Sequence, residues 1–199
     1  MTARRPAVFF DRDGTLNEEV EFVSAPEQLR LIPGAGRAVR AVNESGFLAL
    51  VISNQSGIAR GLFTEADLIP IHAKFEQDLA ASGGRIDRIY YCPHHPTAGI
   101  PPYRVECDCR KPRTGMLLQA ERELDADLGN SYVIGDRIVD VLAGRNAGAK
   151  GILVLTGYGA TSVEECRDRG IVPDHVAPSV EEAVKFILNE HKGVSKANV

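Results

Sequence analysis

Residues 47–52, Phe-Leu-Ala-Leu-Val-Ile, are apolar without a break. A strand with one wet face alternates apolar and polar residues, so an unbroken run this short reads as a strand covered on both sides. Covering both sides takes helices on both faces of a parallel sheet, and the rest of the chain is written to match. Short β-rich runs at Ala7–Phe10, Ile89–Tyr91, Tyr132–Ile134 and Ile152–Leu155 alternate with helical patterns, the signature of an α/β fold. Pro33-Gly-Ala-Gly36 opens a helix with Ala38, Val39 and Val42 on one face, stopped by Gly46. Thr64 is placed to cap the next helix, which Pro70 either kinks or begins. Thr114 is placed to cap a helix through Leu124, and a shorter one spans Ile138–Ala147. Ser162 and Ser179 each open Ser-Val-Glu-Glu, a capping box, which predicts two terminal helices.

A chain of 199 residues with no linker and no internal repeat reads as one domain over residues 1–191, followed by a polar, frayed tail at 192–199. Lys plus Arg number 23 against 27 Asp plus Glu, a net charge of −4, which disfavours nucleic acid or an anionic membrane as partner. No apolar run approaches the ~20 residues a bilayer requires, and Asp11 interrupts the first one before a signal peptide can be read. A soluble, cytoplasmic, monomeric protein acting on a small molecule is expected.

In open α/β sheets chemistry gathers beyond the carboxyl ends of the strands. Those ends carry Asp11 and Asp13, then Ser53 and Asn54, then Arg110 and Lys111 after an irregular loop, then Asp136. Spacing alone proves little, since Asp125 and Asp127 repeat it at a helix end. What sets Asp11 apart is its place directly after a buried strand and before Gly14-Thr15. Such a set suits phosphoryl transfer through an aspartyl-phosphate. Asp11 attacks phosphorus, while Asp13 protonates the leaving alkoxide and then activates water. Two carboxylates facing a phosphate require Mg²⁺, whose site Asp136 completes. Ser53 donates to the phosphoryl oxygens and Lys111 neutralises their charge. A signalling receiver shares this outline but needs a long-lived phosphoaspartate, which Asp13 would hydrolyse.

Prolines 93, 96, 101, 102 and 112 with Gly99 exclude helix and central strand between Cys92 and Pro112. A loop of that length in a compact domain needs something to hold it. Cys92, His94, Cys107 and Cys109 supply three thiols and an imidazole, the donor set of a closed, structural Zn²⁺ site. A disulfide is the alternative, although Cys107 and Cys109 sit too close in sequence to pair well, and His95 is an alternative to His94 as ligand. Zinc is the preferred reading, with the loop delivering Arg110 and Lys111.

The Asp-Arg-Asp-Gly-Thr box, Ser53, Lys111 and Gly135-Asp136-Arg137 with Asp140 resemble the haloacid dehalogenase superfamily in kind and order. The longer strings Asp11–Asn17, Ser53–Gly61, Tyr91–Pro96 and Cys107–Pro112 are similar to its branch of heptose-bisphosphate and histidinol-phosphate phosphatases. This resemblance implies a Rossmann-like, doubly wound, mainly parallel sheet with a minimal cap and a zinc-bound loop insert. It also implies a Mg²⁺-dependent phosphatase of a small phosphorylated sugar, on the way to nucleotide-activated heptose, with histidinol phosphate as the alternative substrate. Carried over by motif, Mg²⁺ lies on Asp11, Asp136 and the backbone carbonyl of Asp13. Glu19, Val20, Glu21, Phe22, Ser53, Asn54, Gln55, Ser56, Arg110, Lys111 and Arg137 line the substrate. Arg137 and Ser53 stand where that branch often has Lys and Thr, so substrate preference is the property these two positions touch. Asp140 either orients the Mg²⁺ ligands from behind, the preferred reading, or is an early-helix acid favoured by the helix dipole, and Arg60 is either an anion contact or a solvated charge.

Overall fold

The structure is a computed structural model that describes the backbone of residues 4–197 and side chains through His191. Six strands, β1 (Ala7–Phe10), β2 (Leu48–Asn54), β3 (Arg88–Cys92), β4 (Tyr132–Gly135), β5 (Lys150–Val154) and β6 (His175–Ala177), form one sheet. Their order is β3-β2-β1-β4-β5-β6, and every pairing is parallel. The helices are α1 (Ala35–Glu44), α2 (Glu65–Ala80), α3 (Gly115–Leu124), α4 (Ile138–Asn146), α5 (Gly159–Asp168) and α6 (Val180–Ala197).

The unbroken apolar strands do what their composition requires. On β1, Val8 and Phe10 pack with α1, α2 and α6, while Ala7 and Phe9 face α3 and α4. Leu153 of β5 meets Ile138 and Val141 of α4 and Cys166 of α5 on that second face. Each side chain of β1 is wholly buried, at roughly 25 cal/mol per Å² of apolar surface removed from water. Between β1 and α1, residues 11–34 hold only a single 3₁₀ turn, Pro26–Gln28, so the cap is minimal.

Several local expectations are corrected. α2 begins after Thr64, whose Oγ1 accepts from Asp67 N–H at 3.3 Å while Asp67 returns an acceptor to Thr64 N–H at 2.7 Å. The helix then runs through Pro70, since one missing N–H near its start costs less than Leu68, Ile71, Phe75 and Leu79 recover by burial. Thr114 precedes α3 but makes no side-chain cap bond. Ser162 lies inside α5, which starts three residues earlier at Gly159, so its capping box is not used. Ser179 does cap α6, its Oγ accepting from Glu182 N–H at 3.3 Å. α6 continues to Ala197, past His191 where fraying was expected, and residues 198 and 199 lie outside the described part. The short edge strand β6 carries no pattern that sequence reading registers. No described helix is long and apolar enough to cross a membrane.

Candidate active site

The carboxyl ends of β1, β2 and β4 meet at one cleft of about 840 Å³. After Phe10 the chain turns tightly: Asp11 N–H donates to Ile134 O at 2.8 Å, and Leu16 and Asn17 N–H both return to Arg12 O. Asp11 and Asp13 therefore face the cleft together. Lys111 reaches in from the irregular loop, buried, with Nζ 2.9 Å from Asp11 Oδ1 and 2.6 Å from Asp140 Oδ1, and donates to Ile52 O at 2.8 Å. Asn54 fixes the Lys111 backbone: its Oδ1 accepts from Lys111 N–H at 3.0 Å and its Nδ2 donates to Lys111 O at 3.2 Å.

Asp136 is enclosed. Its Oδ2 accepts from Tyr158 N–H at 2.7 Å, while its buried Oδ1 has no protein partner. A Cβ at Gly14 or at Gly157 would stand 2.2 Å from Asp136 Oδ2, and both glycines have positive φ, 78° and 54°. Only glycine satisfies both demands. Asp11, Asp136 and Asp140 can bring their oxygens within 4.8 Å of one another, with Lys111 the one ammonium among them. Burial first, then Asp140, Asp136 and Asp13 beside it, push the Asp11 carboxyl well above its ordinary value, against the pull of Lys111. Asp136 is pushed up to about 7, chiefly by burial and by Asp140. Burial disfavours the Lys111 ammonium, but Asp11 and Asp140 outweigh it and hold the group above its usual value. Three buried carboxylates with one cation is a donor set short of positive charge, and it fits a hard divalent cation with oxygen ligands.

Asp13 is governed differently. Burial would raise its pKa, yet Arg12 and the hydrogen bonds from Asn17, Arg12 and Gln55 hold the carboxyl below its ordinary value. Gln55 Nε2 donates to Asp13 Oδ2 at 2.8 Å and to Ser53 Oγ at 2.7 Å, joining the two groups.

The expected lining residues divide. Glu19, Glu21, Phe22, Ser53, Asn54, Ser56, Arg110, Lys111 and Arg137 line the cleft. Val20 is exposed outside it, and Gln55 is buried behind Asp13 and Ser53. Arg137 lies over the Tyr158 ring, 3.8 Å from its centroid, with Nη2 3.8 Å from Glu19 Oε2. Arg60 also lines the cleft, with Nη2 3.5 Å from His95 Nε2. Asp140 lies in the same buried cluster as Asp11 and Asp136, and its Oδ2 also accepts from Arg137 N–H at 3.0 Å at the start of α4.

The proline-rich loop brings Cys92, His94, Cys107 and Cys109 together, with donor atoms within 4.8 Å of one another. Sγ of Cys107 is 3.5 Å from that of Cys92 and 3.3 Å from that of Cys109, and His94 Nδ1 is 3.4 Å from Cys109 Sγ. At these separations no two of the thiols are bonded to each other, and the four donors lie close enough together to share one ion. His95 instead accepts at Nδ1 from Ala98 N–H at 2.8 Å. Arg110 Nη1 donates to His94 O at 3.1 Å, so the loop holds the guanidinium at the cleft rim.

Sequence reading passed over Arg12, Asn17 and Tyr158. Arg12 and Asn17 stood inside the recognised strings, and an arginine set between the two aspartates of a strand-end loop is the signal that was available. Tyr158 acts through its backbone N–H and its ring face, which no motif encodes.

A profile of the HAD-hydrolase-like family matches residues 108–183. The D-glycero-D-manno-heptose-1,7-bisphosphate 7-phosphatase of Thermosynechococcus vestitus is 41% identical over 187 residues, covering 92% of this chain and 95% of that one. The D-glycero-β-D-manno-heptose-1,7-bisphosphate 7-phosphatase of Escherichia coli K12 is 39% identical over 186 residues, covering 92% and 88%. Among solved structures, D,D-heptose 1,7-bisphosphate phosphatase from B. bronchiseptica, complexed with magnesium and phosphate, superposes with a TM-score of 0.81 at 34% identity over 93% of this chain and 99% of that one. With its sheet order, its strand-end carboxylates and relatives of this identity along nearly its whole length, the chain belongs to the heptose-1,7-bisphosphate 7-phosphatases of the haloacid dehalogenase family.

Proposed function

We propose that this chain, working as one phosphatase domain, removes the C7 phosphate of D-glycero-D-manno-heptose 1,7-bisphosphate through an aspartyl-phosphate on Asp11. The observation that carries the reading is the convergence of Asp11, Asp13, Ser53 and Lys111 on one cleft with Asp136 behind it. An oxygen of Asp11 attacks phosphorus, the bond to the sugar oxygen breaks, and Asp13 gives that oxygen its proton. Water then attacks the same phosphorus, yields a proton to Asp13, and frees Asp11. Ser53 and Lys111 hold the equatorial oxygens.

Asp11, Asp136 and the backbone carbonyl of Asp13 are the residues that would hold Mg²⁺, and the orphaned Asp136 Oδ1 supports the fit. When bound, that ion supplies Lewis-acid charge to the transferring phosphoryl group. Cys92, His94, Cys107 and Cys109 would hold Zn²⁺ in a closed structural site. Glu19 to Phe22, Asn54 to Ser56, Arg110 and Arg137 make up the proposed sugar and second-phosphate contacts, Gln55 acting from behind and Val20 through its backbone.

The test is one set of kcat/KM values for both anomers of the heptose bisphosphate and for histidinol phosphate. The bisphosphate should be preferred, because a mobile ammonium is repelled by the cleft guanidiniums that a second phosphate would meet. Faster turnover of histidinol phosphate would overturn the heptose reading.

A further inference from the structure

Arg12 stands between the two catalytic-type aspartates, yet its side chain is entirely buried. A buried guanidinium is costly unless paired. Among the described residues its only ion pair is with Asp13, and it meets that carboxylate as a fork: Nε to Oδ1 at 3.1 Å, Nη2 to Oδ1 at 3.0 Å and Nη2 to Oδ2 at 2.9 Å. Asn17 Nδ2 adds a bond to Oδ1 at 2.9 Å and Gln55 Nε2 one to Oδ2 at 2.8 Å. Nη1 on the far side is buried with no protein hydrogen-bond partner, as is Nε2 of His72 on α2. Among the described residues no other hydrogen bond or ion pair competes with Asp13 for the guanidinium.

We propose that Arg12 is a positioning residue for the reaction, its fork fixing the plane of the Asp13 carboxylate so that the part of it lining the cleft is held in one orientation toward the leaving group and the attacking water. The proposal rests on the acid–base role given to Asp13 above. A carboxylate held by a single donor turns about its last torsion; one held edge-on by a planar fork, with Asn17 and Gln55 on either side, does not. Gln55 shares its amide with Ser53 Oγ, so the same orientation is registered against the phosphoryl donor. Geometric fixing of this kind acts on the chemical step rather than on substrate affinity.

The test uses the full-length, metal-loaded enzyme with Arg12→Lys and Arg12→Gln, and p-nitrophenyl phosphate as substrate. Nitrophenolate departs without a proton, so formation of the aspartyl-phosphate needs little help from Asp13, whereas its hydrolysis needs Asp13 to take the proton of water. Arg12→Lys keeps the charge but not the fork. It should lower kcat about 10- to 100-fold with KM nearly unchanged, release one equivalent of nitrophenol in a burst, and leave acid-stable phosphoenzyme at steady state. A folded Arg12→Lys with wild-type kcat and no burst would overturn the proposal. So would failure of both variants to fold, which would make the guanidinium a structural group only. Asp13→Asn separates the two readings. If it keeps full turnover, the acid–base assignment itself falls; if it is inactive while Arg12→Lys behaves as wild type, only the role of Arg12 falls.

Discussion

Asp11 and Arg110 differ in what their removal should reveal. Asp11→Asn removes the proposed nucleophile, and turnover should drop by about a thousandfold or more. It also takes one charge from a crowd of three carboxylates that share a single ammonium. In metal-free protein that crowd is repulsive, so the same variant should melt no lower, and preferably higher, than the parent by calorimetry. A lower Tm would show that Asp11 is held by its pairing with Lys111 more than it is opposed by its neighbours. Arg110 is half-buried against the zinc-type loop, and burial lowers the pKa of its guanidinium. Arg110→Ala should cut kcat/KM for the bisphosphate about 10- to 100-fold, as loss of a charged hydrogen bond does. Its effect on p-nitrophenyl phosphate should be far smaller. Equal losses on both substrates would place Arg110 at the reacting phosphate instead. At this scale the sequence was legible wherever a residue's chemistry is its function: Asp11, Asp13, Lys111 and Asp136 could be named from their types and their strand-end places. Arg12, Asn17 and Tyr158 were not, because they act by where they aim a neighbour, and aim exists only in three dimensions.

At the scale of elements, the loop between β3 and α3 and the helix α2 carry separate predictions. Purified protein should hold about one zinc per chain by the ligand count. Chelation should release the loop that fixes Arg110 and Lys111, so thermal stability and substrate affinity should fall together. Elemental analysis showing no zinc in active, stable protein would remove the metal from the account. On α2, His72 has its pKa lowered from 6.5 to about 4, by burial first and by the charge of Arg12 second. A base whose folded pKa is depressed binds fewer protons than the unfolded chain between those values. Its contribution is therefore complete above pH 6.5 and is lost progressively as the pH falls toward 4. His72→Phe should flatten that part of the curve of unfolding free energy against pH, measured by urea titration; an unchanged slope would mean that His72 does not titrate on unfolding. The helices and the irregular loop were readable because proline, capping residues and apolar spacing act locally. Ser162 misled for the same reason, since its capping box is valid locally and is overruled by the earlier start of α5.

For the molecule as a whole, an unbroken apolar strand was enough to predict a parallel sheet with helices on both sides. The order of the strands was not contained in that pattern, nor was β6, because pairing partners are chosen by packing between distant segments. Native-state hydrogen exchange should find the slowest amides in β1, β2 and β4, which lie inside the sheet, and faster ones in β6 at its edge. Slow exchange at β6 equal to that of β1 would point to a covered edge.

The place of β1 has a consequence for how the protein comes into being. β1, which is synthesised well before β4, pairs on one side with β2 but on the other with β4, and just before β4 Ser131 Oγ accepts from Ala7 N–H, 124 residues away. Until β4 has been synthesised, β1 offers an open edge, and the Asp11 N–H lacks the Ile134 carbonyl that sets its turn. Translation therefore delivers Asp11 early and its geometry late. A nascent chain stalled before Ile134 should carry every atom of Asp11 and Asp13 and yet remain chemically silent.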